Sequence, residues 1–233
     1  MAVPFLNRRD LLLRCVASID FPVERLVIIQ NGTEDGTVDP PPSVLNWTLI
    51  RHPNAGVAAS WNEAITLFPA DYWLLVNNDI EFAPGDLAKF HHDITNDPAL
   101  GCLYGNHGAS WWGVTEMGYN TVGAFEQALW PAYLEDTEWA YRADLLGVKR
   151  ATVHGLTSKH GDAKATGSCT IMSDPELRRK NGITHGKGFE FYKKKWGGIN
   201  GQEVFKHPFN DPSIPIWACR PDTRIRRELM SVR

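Results

Sequence analysis

The sequence predicts an α/β fold, a mainly parallel sheet flanked by helices, and three observations carry that prediction. Apolar runs of strand length alternate with segments whose apolar residues recur at helical spacing. Runs such as RLVIIQ and YWLLV are continuously apolar, as strands buried on both faces are. Three early runs end in amide or acid side chains: Asn7, then Gln30 and Asn31, then Asn77, Asn78 and Asp79. In open α/β sheets ligands sit beyond the carboxyl ends of the strands, so these three clusters are expected to converge.

The elements follow in order. AVPF is a short strand, and RRDLLLRCVASI is a helix with Leu12, Cys15, Val16 and Ile19 at helical spacing. RLVIIQN is a buried strand, a loop rich in Gly, Asp and Pro runs from Gly32 to Ser43, and WTLIRH is the next strand. NAGVAASWNEAITLF is a helix entered through a glycine turn, with Pro69 just past its last apolar turn. YWLLVNND is a strand, and APGDLAKFHHDI is a helix with Pro84 near its start and Leu87, Phe90 and Ile94 on one face. ALGCLYG is a short strand, and NHGASWWGVTEMGY reads as loop and irregular strand. After VGAFEQALW, LEDTEWAYRADLLG is a helix with Glu135, Asp136 and Glu138 in its first turn, where acids also suit the helix dipole. RATVHGLTSKHG is a strand ending in histidine. Beyond it come a glycine- and lysine-bearing segment from Gly161 to Gly167, a helix at DPELRRKNG, a second, aromatic and basic helix near FEFYKKKWGG, and a proline-rich exit.

With 233 residues and 43% hydrophobic content, the chain can fill a real core without staples. The expected organisation is an α/β core over residues 1–162 and a helical or irregular extension over 163–233, packed on that core. A formal charge of -3 provides no general attraction to nucleic acid or anionic membrane, although RIRRELMSVR is a local basic patch. Cys15, Cys102, Cys169 and Cys219 are scattered, which favours a reducing compartment and suggests no cysteine zinc site. No run has signal-peptide character or the roughly 18 apolar residues of a membrane span. A cytoplasmic protein, soluble or peripherally associated with a membrane, is therefore expected.

Asp79 can offer a hard oxygen ligand to Mg²⁺ or Mn²⁺ and Asn77 a weaker carbonyl oxygen, and alternation at a strand end would point both to one side. N-N-D after a strand is also an ordinary turn. The motifs around it decide between these. VPFLN (Val3 to Asn7), QNGTEDG (Gln30 to Gly36), NAGVAASWN (Asn54 to Asn62), NND (Asn77 to Asp79) and LEDTEWAYRADLLG, with Glu135, Asp136, Arg142 and Gly147 in step, stand in sequence. In that order and spacing, over about residues 2 to 162, the chain resembles the inverting glycosyltransferases of family 2.

That resemblance implies a GT-A fold, a Rossmann-like nucleotide half joined to an acceptor half. It implies a nucleotide-diphosphate sugar as donor, UDP favoured with GDP or dTDP open, and a glycan or glycoconjugate hydroxyl as acceptor. Pro4, Asn7, Asn31, Asn54, Asn62 and Asn78 fall at the donor site. Asp79, Asn77 and His160 fall at a Mn²⁺ or Mg²⁺ site, with His154 as an alternative to His160. Asp136 falls at the general base, with Glu135 as a second candidate or a ligand of the acceptor hydroxyl. Trp111 and Trp112 lie between metal motif and base, where acceptor loops lie in the resembling proteins, and an indole face suits a sugar ring; simple packing accounts for them as well. Lys159 and Lys164 could touch phosphate or only be solvated. Gln30 departs from the aspartate usual at its position, which bears on recognition of the base; Asn77 removes one negative charge from the metal site, so metal binding without nucleotide is expected to be weak.

Two other readings stand beside this one. A nucleotidyltransferase would want a glycine-bearing phosphate loop after the first strand, where FLNRRD has none. A non-catalytic sugar-binding protein of the same fold would not need Glu135, Asp136 and His160. A dinucleotide-dependent dehydrogenase lacks its G-x-G-x-x-G.

Overall fold

The computed structural model describes residues 1–161, 169–199 and 201–217. The expected α/β architecture is present. β1 (Ala2–Phe5), α1 (Arg9–Ala17), β2 (Leu26–Gln30), β3 (Trp47–Arg51), α2 (Val57–Leu67) and β4 (Tyr72–Val76) form the first half. Then come β5 (Ile80–Glu81), α3 (Asp86–Thr95), β6 (Leu100–Gly105), β7 (Gly108–Thr115), α4 (Glu116–Val122), α5 (Glu135–Leu145), β8 (Lys149–Thr152), β9 (Lys159–His160), α6 (Cys169–Ser173) and α7 (Pro175–Trp196).

Seven strands form one sheet in the order β3-β2-β1-β4-β7-β6-β8. The pairs β1–β2, β2–β3, β1–β4 and β6–β8 are parallel, and β7 runs antiparallel between β4 and β6. The strand order reverses at β1, flanked by β2 and β4, so the three polar strand ends lie side by side at a topological switch point.

Each face of the sheet carries an apolar layer. Leu12, Cys15 and Val16 of α1 and Leu87, Phe90 and Ile94 of α3 cover one face with Val3, Phe5, Ile28 and Val76. Ala58, Trp61, Ala64 and Ile65 of α2, with Trp139 and Ala143 of α5, cover the other with Ala2, Val27, Ile29 and Leu75.

Three expectations need correction. The stretch around Trp111 and Trp112 is a regular eight-residue strand, because alternation sends Trp111 into the first layer and Trp112 into the second. Asn77 to Asp79 form a turn after β4, closed by Ile80 N–H donating to Asn77 O at 3.2 Å, rather than a strand continuation. The two helices expected in the C-terminal stretch are one helix of 22 residues, α7. Asp174 caps it by accepting from the Glu176 and Leu177 amides, Pro175 opens its first turn, and Gly197 ends it at φ 74°. Its internal Gly188 faces Leu129 and Leu134, and a Cβ there would meet both at an ordinary contact distance of 3.8 Å.

Tyr192 and Trp196 of α7 bury against Leu129 and Leu134. Lys195 reaches Glu126 at 2.7 Å and Glu138 at 2.9 Å, all three buried. The expected boundary at 162/163, Lys164, Cys219 and the basic tail lie outside the described residues.

Candidate active site

A cleft of about 260 Å³ opens over the carboxyl ends of β1, β2 and β4. Pro4, Asn31, Asn54, Asn77, Asn78, Asp79, Glu135, Asp136 and His160 all line it, brought together from six separate stretches of sequence.

The histidine arrives through a ribbon. β5 and β9 pair antiparallel with Ile80 opposite His160, and Gly161 N–H donates to Asp79 O at 2.7 Å. His160 Nε2 consequently lies 3.2 Å from Asp79 Oδ1, although off the line of a hydrogen bond. Two adjacent ligands of one octahedral ion with bonds of roughly 2.1 Å would stand about 3 Å apart, so the pair fits a small divalent cation. Ser110 Oγ sits 3.4 Å from the other ring nitrogen, Nδ1. The loop before β9 is held by buried Asp86, whose Oδ2 accepts from Thr157 N–H, Ser158 N–H and Ser158 Oγ–H at 2.7 to 2.8 Å. Among the described residues there is no group of three His, Cys, Asp or Glu side chains spaced for a metal, so Asn77 and a ligand's own oxygens would have to complete the sphere.

The opposing carboxylates begin α5. Leu134, before the first residue, has φ 73°, and Tyr133 has φ 78°; this left-handed entry turns the helix start toward the cleft. Glu135 is buried, and its Oε2 has no hydrogen-bond partner among the described residues. Burial, then the neighbouring Asp136 carboxylate, pushes its pKa well above the usual glutamate range. Burial also raises Asp136, against hydrogen bonds from the Thr137 and Asp136 amides and the Thr137 hydroxyl. Neither Lys nor Arg lines the cleft among the described residues, whereas three carboxylates do.

Among the described residues, seven carry a buried side-chain nitrogen or oxygen without a hydrogen-bond partner, and five of them, Trp61, Asn78, Glu135, His160 and Thr170, line this cleft. Buried polar groups are ordinarily paired, so their concentration here marks a surface shaped for a polar ligand.

Several expected site residues take other places. Asn7, at φ 87°, uses Oδ1 to accept from the Thr33 and Glu34 amides, fixing the loop after β2 rather than lining the cleft. Asn62 is buried and clamps Phe125 by accepting from its N–H and donating to its carbonyl, so it supports the wall instead of touching donor. Trp111 and Trp112 are both 0% exposed and offer no ring face to a sugar; alternation in β7 turns them into opposite core layers. His154 is exposed and away from the cleft. Lys159 lies 3.7 Å from Glu81 on the outer side of the ribbon. Asn31 lines the cleft while accepting from Ala55 N–H and donating to Ser60 Oγ. Gln30 staples its own loop through Gly36 N–H and Gly32 O.

Sequence reasoning missed Pro131, Ala132 and Tyr133 on the far wall, Thr170 from α6, and Asp86 behind the ribbon. It also assigned Arg142 no role. Arg142 is fully buried, donating to Glu138 and to the carbonyls of Val122 and Ala124. A buried ion cluster needs both sides of the fold to be seen, and only the first turn of α5 signalled it.

Residues 1–147, more than half of the 233, match the family model described as glycosyl transferase family 2. The chain belongs to glycosyltransferase family 2. Among solved structures it is similar to the mannosyltransferase PcManGT from Pyrobaculum calidifontis, in complex with GDP-Man and Mn²⁺, at 17% identity and a TM-score of 0.56, covering 81% of this chain and 68% of that one. It is similar to S. aureus TarS 1–349 at 13% identity and TM-score 0.52, covering 78% and 63%. It is similar to GalNAc-T7, solved with UDP, GalNAc and Mn²⁺, at 11% identity and TM-score 0.57, covering 98% and 56%. The chain therefore spans between 56% and 68% of the length of these three neighbours. At such identities the likeness establishes the GT-A fold. No curated protein matches significantly. No helix among the described residues is long and apolar enough to cross a membrane.

Proposed function

We propose that this family-2 protein is an inverting, metal-dependent glycosyltransferase. It moves a sugar from a nucleotide diphosphate, UDP favoured, to a hydroxyl of a glycan or glycoconjugate. The observation that carries the reading is one cleft in which Asp79 and His160 stand 3.2 Å apart on one side, Glu135 and Asp136 start a helix on another, and no described Lys or Arg intervenes.

Asp79, His160 and Asn77 would hold Mn²⁺ or Mg²⁺, which when bound neutralises charge building on the leaving diphosphate. Pro4, Asn31, Asn54 and Asn78 form the donor-side wall. Asp136 accepts the proton of the acceptor hydroxyl as that oxygen attacks the anomeric carbon from the side opposite the diphosphate. Its raised pKa strengthens it as a base. Glu135, more deeply buried and held toward its neutral form, can donate a hydrogen bond to a sugar oxygen. The site's negative charge and lack of described lysine or arginine favour this over a nucleotidyltransferase, which needs basic groups on the triphosphate. A role near polyanionic or membrane-linked acceptors would rest on the exposed lysines of α7, Lys187, Lys193 and Lys194.

Calorimetry with UDP, GDP, dTDP, CDP and ADP, each with and without Mn²⁺, tests the reading. Manganese-enhanced binding of one of them is expected, and Asp79→Ala is expected to abolish the enhancement. Absence of binding across the whole panel would reject the proposal. Manganese dependence surviving in Asp79→Ala would move the metal elsewhere.

A further inference from the structure

Thr170 belongs to α6, beyond the residues 1–147 that match family 2, yet it lines the cleft beside Ile171. It is 5% exposed, and its Oγ1 has no hydrogen-bond partner among the described residues. Other helical threonines here satisfy their hydroxyls locally: Thr121 donates to Met117 O at 2.8 Å and Thr184 to Lys180 O at 3.2 Å. A hydroxyl withdrawn from water without a partner costs stability, so its place in a ligand cleft calls for a ligand group.

Four more unpaired atoms share the cleft: Trp61 Nε1 and Asn78 Nδ2, both donors, His160 Nε2, and Glu135 Oε2, which accepts when ionised and can carry a proton when neutral. Donor and acceptor sites interspersed in this way suit a polyol, whose hydroxyls both give and accept. They suit a phosphate, which offers only acceptors, less well, and a nucleobase contact would weaken the free nucleoside diphosphate as much as the sugar nucleotide. In the reaction proposed above, the group that must span from the Asp79 and His160 side to the Asp136 side is the glycosyl unit itself.

We infer that Thr170 is a specificity-determining residue for the donor sugar, its hydroxyl exchanging a hydrogen bond with a ring hydroxyl of the transferred glycosyl group. The inference rests on the proposed function. It places sugar selection on a segment outside the matched family region, while diphosphate and metal binding stay on the strand ends.

The test uses the whole chain with Mn²⁺, the nucleoside diphosphate that binds best, and a panel of its sugar nucleotides, without acceptor. Thr170→Val removes the hydroxyl and keeps the branched shape. It is expected to bind the free nucleoside diphosphate as the wild type does and the preferred sugar nucleotide about three- to tenfold more weakly. Thr170→Ser is expected to restore that loss. The Tm of Thr170→Val should be unchanged or higher, because the hydroxyl has no internal partner to lose. Equal binding of the sugar nucleotide by both proteins would overturn the inference. So would an equal loss for the sugar nucleotide and the bare diphosphate, a change confined to the acceptor KM, or a fall in Tm of several degrees. Failure of the wild type to bind any nucleotide would instead remove the proposed function and this inference with it.

Discussion

Asp136 and Glu135 are adjacent, both carboxylates and both raised in pKa, but unequally buried, and their expected behaviour differs accordingly. Asp136→Asn keeps the size and loses the base. Transfer should fall by roughly 10²–10⁴ while manganese-dependent nucleotide binding persists; near-normal turnover would relieve Asp136 of the role. Because the base must be ionised and burial raises its pKa, the acid limb of kcat/KM should lie above the ordinary aspartate range. Glu135 affects stability as well. Below its unfolded value of 4.5 it is protonated in both states; as pH rises, the unfolded chain ionises it readily while the fold resists, so stability declines through the raised folded value. Glu135→Gln should therefore match the wild type in acid and become progressively more stable than it toward neutral pH. Thermal melts across pH 4 to 8 measure this, and a constant difference would contradict it.

At the scale of elements, the cleft depends on close approaches that only particular residues permit. Gly56 enters α2 at φ 87°, and a Cβ there would stand 2.8 Å from Pro131 O, the carbonyl that accepts from Val57 N–H. The N-x-G stretch therefore joins the donor-side wall to the Pro131–Tyr133 wall by direct contact. Gly56→Ala should cost about 1–3 kcal/mol and weaken nucleotide binding together with stability, measurable by urea denaturation and calorimetry on the same sample. An alanine variant as stable as the wild type would mean that the far wall yields without consequence. The β5–β9 ribbon works similarly: the turn after β4 and the loop pinned by Asp86 bring His160 to Asp79 across 80 positions of sequence.

At the scale of the molecule, α7 is tied to the region that matches family 2 by charge as well as by apolar contact. Lys195 lies between Glu126 and Glu138, Arg142 holds Glu138 from the other side, and Trp196 Nε1 donates to Glu138 Oε1 at 3.3 Å. Burial alone would raise the Glu138 pKa, yet the Arg142 and Lys195 charges hold it below the glutamate range. Removing one member leaves charge buried with less compensation, so Lys195→Met should cost about 3–5 kcal/mol in chemical denaturation. A loss under about 1 kcal/mol would mean that the apolar contacts of Tyr192 and Trp196 suffice to dock the helix.

The sequence by itself determined the α/β alternation, the polar ends of β1, β2 and β4, and the order of motifs that points to family 2. These are written in local periodicity and short spacings, which one chain segment can carry alone. Asp79, His160, Glu135 and Asp136 were legible for that reason, as motif positions. Tertiary structure alone decided which amides reach the cleft and which brace it: Asn7, Asn31, Asn54 and Asn62 all accept from backbone amides, but only Asn31 and Asn54 do so from the cleft wall. It also decided that both tryptophans of GASWWG are core, since residues on opposite faces of a strand are buried together only when both faces are covered. The continuous α7, its buried lysine and the hydroxyl of Thr170 in the cleft depend on contacts across tens of residues. No local pattern encodes such contacts, because the free energy that selects them comes from surfaces that meet only when the chain is folded.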